Sequence, residues 1–246
     1  DWAKNGGWEW FIKAFNDKNF IDALKNTIIL NLLDLVIGTP MPILMALLLN
    51  ELAFPKFKRV AQTVLYLPHF LSWVIISSLS LRLLATNDGL VNQIFGTKIA
   101  FLGTENNWRA TYIVLGVWKE CGWNTIIYLA ALTGISPELY EAAAIDGAGI
   151  WQRIIHIMIP AIKKLAGTLL ILQIISVFQI MYEPMVLTNG GPDNASLSLM
   201  QLMWQYAFGG SMNYGKASAV AVIVTLILLV MTAIYSYFDR KESDWD

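Results

Sequence analysis

Apolar residues dominate five long runs separated by shorter polar stretches: Asn26–Leu49, Val60–Leu84, Ala110–Leu132, Ala161–Leu187 and Lys216–Phe238. A helix needs about 20 mostly apolar residues to cross the hydrocarbon of a bilayer, so each run predicts a membrane-spanning helix. Lipid offers no partner to a free N–H or C=O, so each segment must satisfy its own backbone. The fold class that follows is an all-α, polytopic transmembrane bundle. The short alternating segments of a membrane β-barrel do not occur in the sequence. The runs predict three regions: an amphipathic lead-in over 1–25, a transmembrane domain over 26–238, and a polar tail over 239–246. Three runs carry breaks: Gly38-Thr39-Pro40-Met41-Pro42 in the first, Pro68-His69 in the second and Pro184 near the end of the fourth. Proline removes a helical hydrogen bond and crowds the preceding turn. Such breaks either kink the packing or lie beside a substrate path.

Composition supports the membrane reading. Hydrophobic residues are 56% and charged residues 14% of the chain, against roughly 25% charged in soluble domains. The net charge of −1 gives no field for nucleic acid. The lone Cys121 has no disulfide partner and lies in an apolar run, where it reads as a small buried hydrophobe. The lead-in is rich in aromatics (Trp2, Trp8, Trp10, Phe11, Phe15, Phe20), which suit a membrane–water interface. No signal-peptide pattern opens the sequence. Lys and Arg balance between the two sides of the expected topology, so charge bias alone does not orient the chain.

The connection between the third and fourth runs, residues 136–160, is the most informative. Ser136 is a suitable N-cap, Pro137 fits the first helical position, and Glu138 suits the positive end of the helix dipole. Leu139 to Ile145 follows as a strong helix former, with Ala142, Ala143 and Ala144 offering a small-residue face. Gly147 and Gly149 break the helix. A second short helix is expected from Ile150 to Ile159, where Pro160 opens the next span. The product is a helical hairpin on the membrane surface, fit to enter a groove of another protein.

Glu141-Ala142-Ala143, then Gly147, Ile157 and Ile159-Pro160 at their spacing, resembles the EAA signature of permeases in binding-protein-dependent ABC importers. Isoleucine at 159 stands where leucine is usual. The flanking stretches Ala46-Leu47-Leu48-Leu49-Asn50, Tyr66-Leu67-Pro68, Leu129 to Ile135, Leu187-Thr188-Asn189-Gly190-Gly191-Pro192 and Tyr214 to Ala219 extend the resemblance over nearly the whole chain. They are similar to the maltose-type carbohydrate permeases.

The resemblance implies a type I ABC importer permease fold and a multi-pass place in the bacterial inner membrane. It implies a cytoplasmic hairpin, which puts the lead-in on the extracytoplasmic side and the tail in the cytoplasm, and which couples to a separate ATPase through Glu141, Ala142, Ala143, Asp146, Gly147, Ile157 and Pro160. It also implies the partners: a second permease subunit that is a different chain, two ATPase subunits, an extracytoplasmic solute-binding protein and a sugar substrate. The family carries at least six spans, so the resemblance implies that a first span is absent from these five. The sequence has no G-x-x-x-x-G-K-[ST] loop, so ATP and magnesium are expected on the ATPase partner, and the chain is expected not to be an enzyme and to hold no cofactor or metal.

Ionisable side chains at membrane depth are functional candidates by default. They are Asp34, with Arg82 as a possible partner, His69, and the adjacent Lys119 and Glu120. Neighbours on a helix point about 100° apart, which predicts separate partners for Lys119 and Glu120. Sugars stack on aromatic rings and hydrogen-bond to amides and carboxylates. Two clusters are therefore expected to line a common path: Trp118, Lys119, Glu120, Trp123, Asn124 and Tyr128 in the third run, and Gln173, Gln179, Tyr182 and Glu183 in the fourth. Gln179, Tyr182 and Glu183 are expected to share one helix face. The outer loop Asn189–Asn213 reads either as an interfacial helix or as a contact for the binding protein. Competing readings are a self-sufficient secondary transporter and an intramembrane acid–base enzyme using Glu120, His69 or Asp34.

Overall fold

The computed structural model describes residues 4–210 and 212–243. Residues 1–3 of the expected lead-in and 244–246 of the expected tail lie outside the described residues. All elements among those described are helical: α1 (Trp8–Phe15), α2 (Lys18–Leu33), α3 (Pro40–Glu51), α4 (Pro55–Tyr66), α5 (Trp73–Leu83), α6 (Leu90–Phe95), α7 (Glu105–Thr133), α8 (Pro137–Ile145), α9 (Ile150–Arg153), α10 (Ile159–Ser176), α11 (Tyr182–Thr188), α12 (Leu199–Phe208) and α13 (Tyr214–Ser243), with short 3-10 and π turns between some of them.

Among the described residues three helices are long and apolar enough to cross a bilayer: Lys18–Glu51, Ile150–Ile174 and Tyr214–Ile234. A broken pair, Pro55–Phe70 with Trp73–Leu83, makes a fourth. The third expected span is the 29-residue α7, long enough to cross but carrying Arg109, Lys119 and Glu120. The second and fourth expected spans are not single rods. The second breaks at Leu71, which is extended after a 3-10 turn over Leu67–Phe70. Pro68 has no N–H to continue the α ladder. The fourth breaks after a 3-10 turn at Val177–Gln179, and α11 starts again at Tyr182 with Pro184 in its first turn.

Two other prolines bend rather than break their helices, by the same device. A π turn over Asp34–Gly38 precedes Pro40, and another over Ile154–Met158 precedes Pro160. In each, the last N–H before the proline reaches back five residues, Thr39 to the Asp34 carbonyl and Ile159 to the Ile154 carbonyl. The wider turn moves the carbonyl that the proline ring would strike. The expected hairpin helix ending at Ile159 is thus corrected: the helix starting at Ile150 runs on into α10.

The chain folds as two compact units. One comprises Asp1–Leu32, Trp73–Tyr112 and Gln173–Asp246. Its core gathers Ala14, Phe20 and Ala23 with Phe178, Leu197, Leu199, Leu202, Val220 and Val224. Asn26 is a polar node in it. Its amide donates to the carbonyls of Asn194 (2.7 Å) and Leu197 (3.3 Å), and its oxygen accepts from Arg109 (2.8 Å). The Thr27 hydroxyl accepts from the Leu199 N–H at 2.9 Å. The chain between α11 and α12 is therefore fastened to α2, and α12 sinks Leu199, Gln201 and Leu202 into the core. Asp17, at the turn into α2, accepts from the Tyr206 hydroxyl (2.7 Å) and pairs with Lys216 (2.9 Å). Burial works to raise the Asp17 carboxyl, but hydrogen bonds from Lys216, Tyr206 and the Asn19 N–H outweigh it and hold the group below its ordinary range. Burial, and then the Asp17 charge, push the Tyr206 phenol well above its ordinary value.

The second unit comprises Leu33–Ser72 and Ile113–Leu172. Ala46, Leu47 and Leu49 pack with Tyr128, Leu129, Leu132, Ile154, Met158 and Ile162 in its core. Gly122 of α7 lies directly against the Leu65 carbonyl of α4, where a Cβ would overlap it.

Candidate functional site

The hairpin is built as its residues require. The Ser136 hydroxyl accepts from the Glu138 N–H at 3.3 Å, capping α8. At the far end Gly147 has φ of 73°. The Ala148 N–H reaches the Ala143 carbonyl (2.8 Å) and the Gly147 N–H reaches the Ala144 carbonyl (3.1 Å). This paired pattern closes a helix C-terminus around a left-handed residue, which glycine supplies without strain. Gly149 then caps α9, its N–H held by the Gln152 side chain at 2.8 Å. Glu141, Ala142, Asp146 and Gly147 are exposed, and Ala143 is half-buried. Ile157 and Pro160 lie beyond the turn, in the π turn and the start of α10.

Two apolar side chains crown this hairpin without contributing to its core. Ile145 is 86% exposed and Trp151 is 72% exposed. Leu139 and Ile150 are exposed beside them. Sequence reasoning singled out the small-residue face and missed this knob. The signal was present, since Ile145 and Trp151 interrupt an otherwise small or polar stretch around the glycines.

The base of the hairpin is tied to the end of α3. Arg153 pairs with Glu51 at 2.7 Å, and the Asn50 amide lies 3.9 Å from the Met158 sulfur. Burial pushes the Tyr140 phenol up, and Asn50 and Arg153 beside it offset this only in part. The hairpin is therefore joined to α3 by this pair and continues directly into α10.

A second polar cluster sits where the α4 helix breaks. Lys119 is only 6% exposed, and its ammonium donates to the His69 carbonyl and to Glu120 Oε1, each at 2.9 Å. The other Glu120 oxygen lies 2.8 Å from His69 Nδ1. Trp123 stacks flat on the His69 ring at 4.5 Å. Lys119 and Glu120 thus do not take separate partners, as their directions on the helix predict. The long lysine stem curls toward Glu120, and both converge on His69. The physical cause is the broken helix: its last carbonyls have no helical donor, and a cation is favoured at that negative end.

The remaining candidates are placed as follows. Trp118 and Asn124 are exposed on α7, whereas Tyr128 is buried in the core of its unit. Gln173, Gln179, Tyr182 and Glu183 belong to the other unit. Gln179 and Tyr182 are exposed, and Gln173 and Glu183 half-buried. Gln179 does not share a helix face with Tyr182 and Glu183, because the chain is non-helical at Ile180 and Met181. Asp34 lies in its π turn against Gly38, where a Cβ would meet its carboxylate. Arg82 is exposed in the last turn of α5.

A family model described as binding-protein-dependent transport system inner membrane component matches residues 25–244. The chain is 41% identical over 239 residues to the polygalacturonan/rhamnogalacturonan transport system permease protein YteP of Bacillus subtilis, covering 92% of this chain and 74% of that protein. It is 35% identical to Protein LplB of Bacillus subtilis, covering 96% of this chain and 76% of that one. Among solved structures it is similar to a chain of a bacterial ABC transporter involved in the import of the acidic polysaccharide alginate. There the identity is 32% and the TM-score 0.90, over 95% of this chain and 83% of that chain.

Proposed function

The chain belongs to the binding-protein-dependent transport system inner membrane components and is a sugar ABC importer permease subunit of the inner membrane; from that premise we propose that its hairpin at 136–160 is the handle through which a separate ATPase drives it. The observation that carries this is the hairpin tip. A glycine-closed turn holds Ile145 and Trp151 out, and none of the described residues covers them. Exposed apolar knobs of this kind mark a protein-docking site. Glu141, Ala142, Ala143, Asp146 and Gly147 form the seat around them. Ile157 and Pro160 carry the motion into α10, and the Arg153–Glu51 pair carries it into α3.

In this reading two ATPase subunits bind ATP and magnesium, and this chain hydrolyses nothing. A second permease chain completes the conduit, and an extracytoplasmic binding protein delivers the sugar. Support for the last comes from the alginate relative, solved in complex with an alginate pentasaccharide-bound periplasmic protein. Trp118, Glu120, Trp123 and Asn124 are assigned to contact with the sugar, and so, separately, are Gln173, Gln179, Tyr182 and Glu183. Tyr128 is given a packing role. Lys119 is occupied by Glu120 and the His69 carbonyl, so it positions the site and does not read a sugar acid. The names of two relatives, one for polygalacturonan and rhamnogalacturonan and one for alginate, favour an oligosaccharide that contains uronic acid.

The test is uptake into proteoliposomes holding this chain, its co-purified permease partner and ATPase subunits, with the binding protein outside. Uptake of galacturonate oligosaccharides that needs ATP, both ATPase subunits and the binding protein supports the proposal. Uptake by this chain alone on an ion gradient overturns it in favour of a secondary transporter.

A further inference from the structure

We propose that the start of α4, Phe54 to Arg59, is a binding site for the headgroup of an anionic phospholipid. Lys56 and Arg59 are exposed and Lys58 is half-buried. No acidic residue stands between Glu51 and Asp88 in the sequence. Glu51 itself is engaged by Arg153 at 2.7 Å. The three cations are therefore left without a carboxylate of their own stretch.

The apolar side of the same helix says what they face. Phe54, Phe57, Val60 and Val64 are all exposed. At 100° per residue, Phe57, Val60 and Val64 fall on one stripe, with Lys56 and Arg59 on one flank and Lys58 on the other. No residue of α4 is buried. A stripe of exposed aromatic and branched side chains between basic flanks is the pattern of a segment at the headgroup boundary, with rings in the acyl region and cations reaching outward. The occupant is lipid rather than a protein cleft because the stripe does not end with the cations. Val60 and Val64 continue it along α4, itself the first part of the broken membrane-crossing pair, to the turn where Leu65 packs against Gly122 of α7. A surface continuous from headgroup depth into the hydrocarbon fits a phospholipid along its length.

The site lies on the same unit as the hairpin, and the Arg153–Glu51 pair joins the hairpin to the end of α3, three residues before Phe54. We place the site at the inner leaflet, a placement that rests on the proposed cytoplasmic hairpin. Its binding of anionic lipid does not.

The intact importer is purified in mild detergent and examined by native mass spectrometry after addition of phosphatidylglycerol or, separately, phosphatidylcholine with the same acyl chains. Wild type retains phosphatidylglycerol in preference to phosphatidylcholine. Lys56→Gln, Lys58→Gln and Arg59→Gln each lower phosphatidylglycerol retention by about fivefold, the worth of one cation at an anionic surface. The charge-conserving Lys56→Arg/Lys58→Arg variant retains it. Phe57→Ala weakens both lipids. Inorganic phosphate at equal concentration does not displace the lipid. Equal retention of the two lipids by wild type, or unchanged retention in all three Gln variants, overturns the proposal. So does displacement by free phosphate, which would mark a bare anion site, or loss of the ATPase subunits with lipid adducts intact, which would mark a protein contact. Single substitutions keep the assembly folded, and its subunit composition is read in the same spectrum.

Discussion

Truncating Ile145 to alanine isolates the docking knob from everything else the hairpin does. The side chain is 86% exposed and ends α8. It contributes almost nothing to the fold of this chain, and its removal changes permease stability by less than about 0.5 kcal/mol. Fully burying an isoleucine is worth about 1.5–3 kcal/mol. Nearly all of that remains to be gained on docking, and alanine keeps only the β-carbon share. The expected loss is about 2 kcal/mol of docking free energy, or roughly 30-fold in Kd. The assay is binding of the purified ATPase subunits to nanodisc-held permease by biolayer interferometry, with thermal unfolding of the permease as control. Weakened binding at unchanged Tm is expected, together with ATP-driven uptake that recovers at high ATPase concentration. A change below twofold in Kd, with normal uptake, would refute the reasoning, because a side chain this exposed has no other large effect to give.

Three further outcomes follow. At Gly147 a left-handed residue is required and a new Cβ would meet nothing within 4 Å, so backbone strain alone decides. Asparagine should couple near normally, alanine should cost about 1–2 kcal/mol and valine more, read as sugar transported per ATP hydrolysed; equal coupling in all three would remove the turn from the mechanism. Lys119→Met strips the cation from Glu120 and the His69 carbonyl, and should cost about 2–3 kcal/mol of stability, seen as a lower Tm in nanodiscs. The Lys119→Met/Glu120→Gln double variant should lose less than the sum of its parts, and strict additivity would count against a shared cluster. Asp17 is depressed in the fold, so its stabilising share is fully present above the unfolded value near 3.9 and lost as pH falls through the lower folded value. Asp17→Asn should therefore flatten the fall of Tm below about pH 4, and an unchanged pH profile would discount the Lys216 pair.

The long apolar runs announced a helical membrane protein, because length and hydropathy are local properties. Cap chemistry at Ser136 and the glycine at 147 were legible for the same reason. The breaks were harder. Pro40 read as a break within its span and Pro160 as the opening of the next one, yet each is absorbed by a π turn whose formation depends on the carbonyl geometry one turn back. Pro68 did end its helix, and the consequence, a carbonyl awaiting Lys119 from 50 positions away in sequence, is a tertiary pairing that periodicity does not encode. The same limit explains Tyr128, whose aromatic polar character resembles that of Tyr182 but whose ring is buried with Leu129 and Leu132.

The coupling claim is tested most directly by labelling one engineered thiol in the assembled transporter. Cys121 is the only cysteine in the sequence and is buried; replacing it with alanine leaves Ile145→Cys as the single reactive site of this chain, whose labelling is read on its own band. In inside-out vesicles a membrane-impermeant maleimide should label this thiol when the permease stands alone, and the ATPase subunits should shield it. Labelling only from the opposite face, or labelling at the same rate with the ATPase subunits bound, would contradict the account.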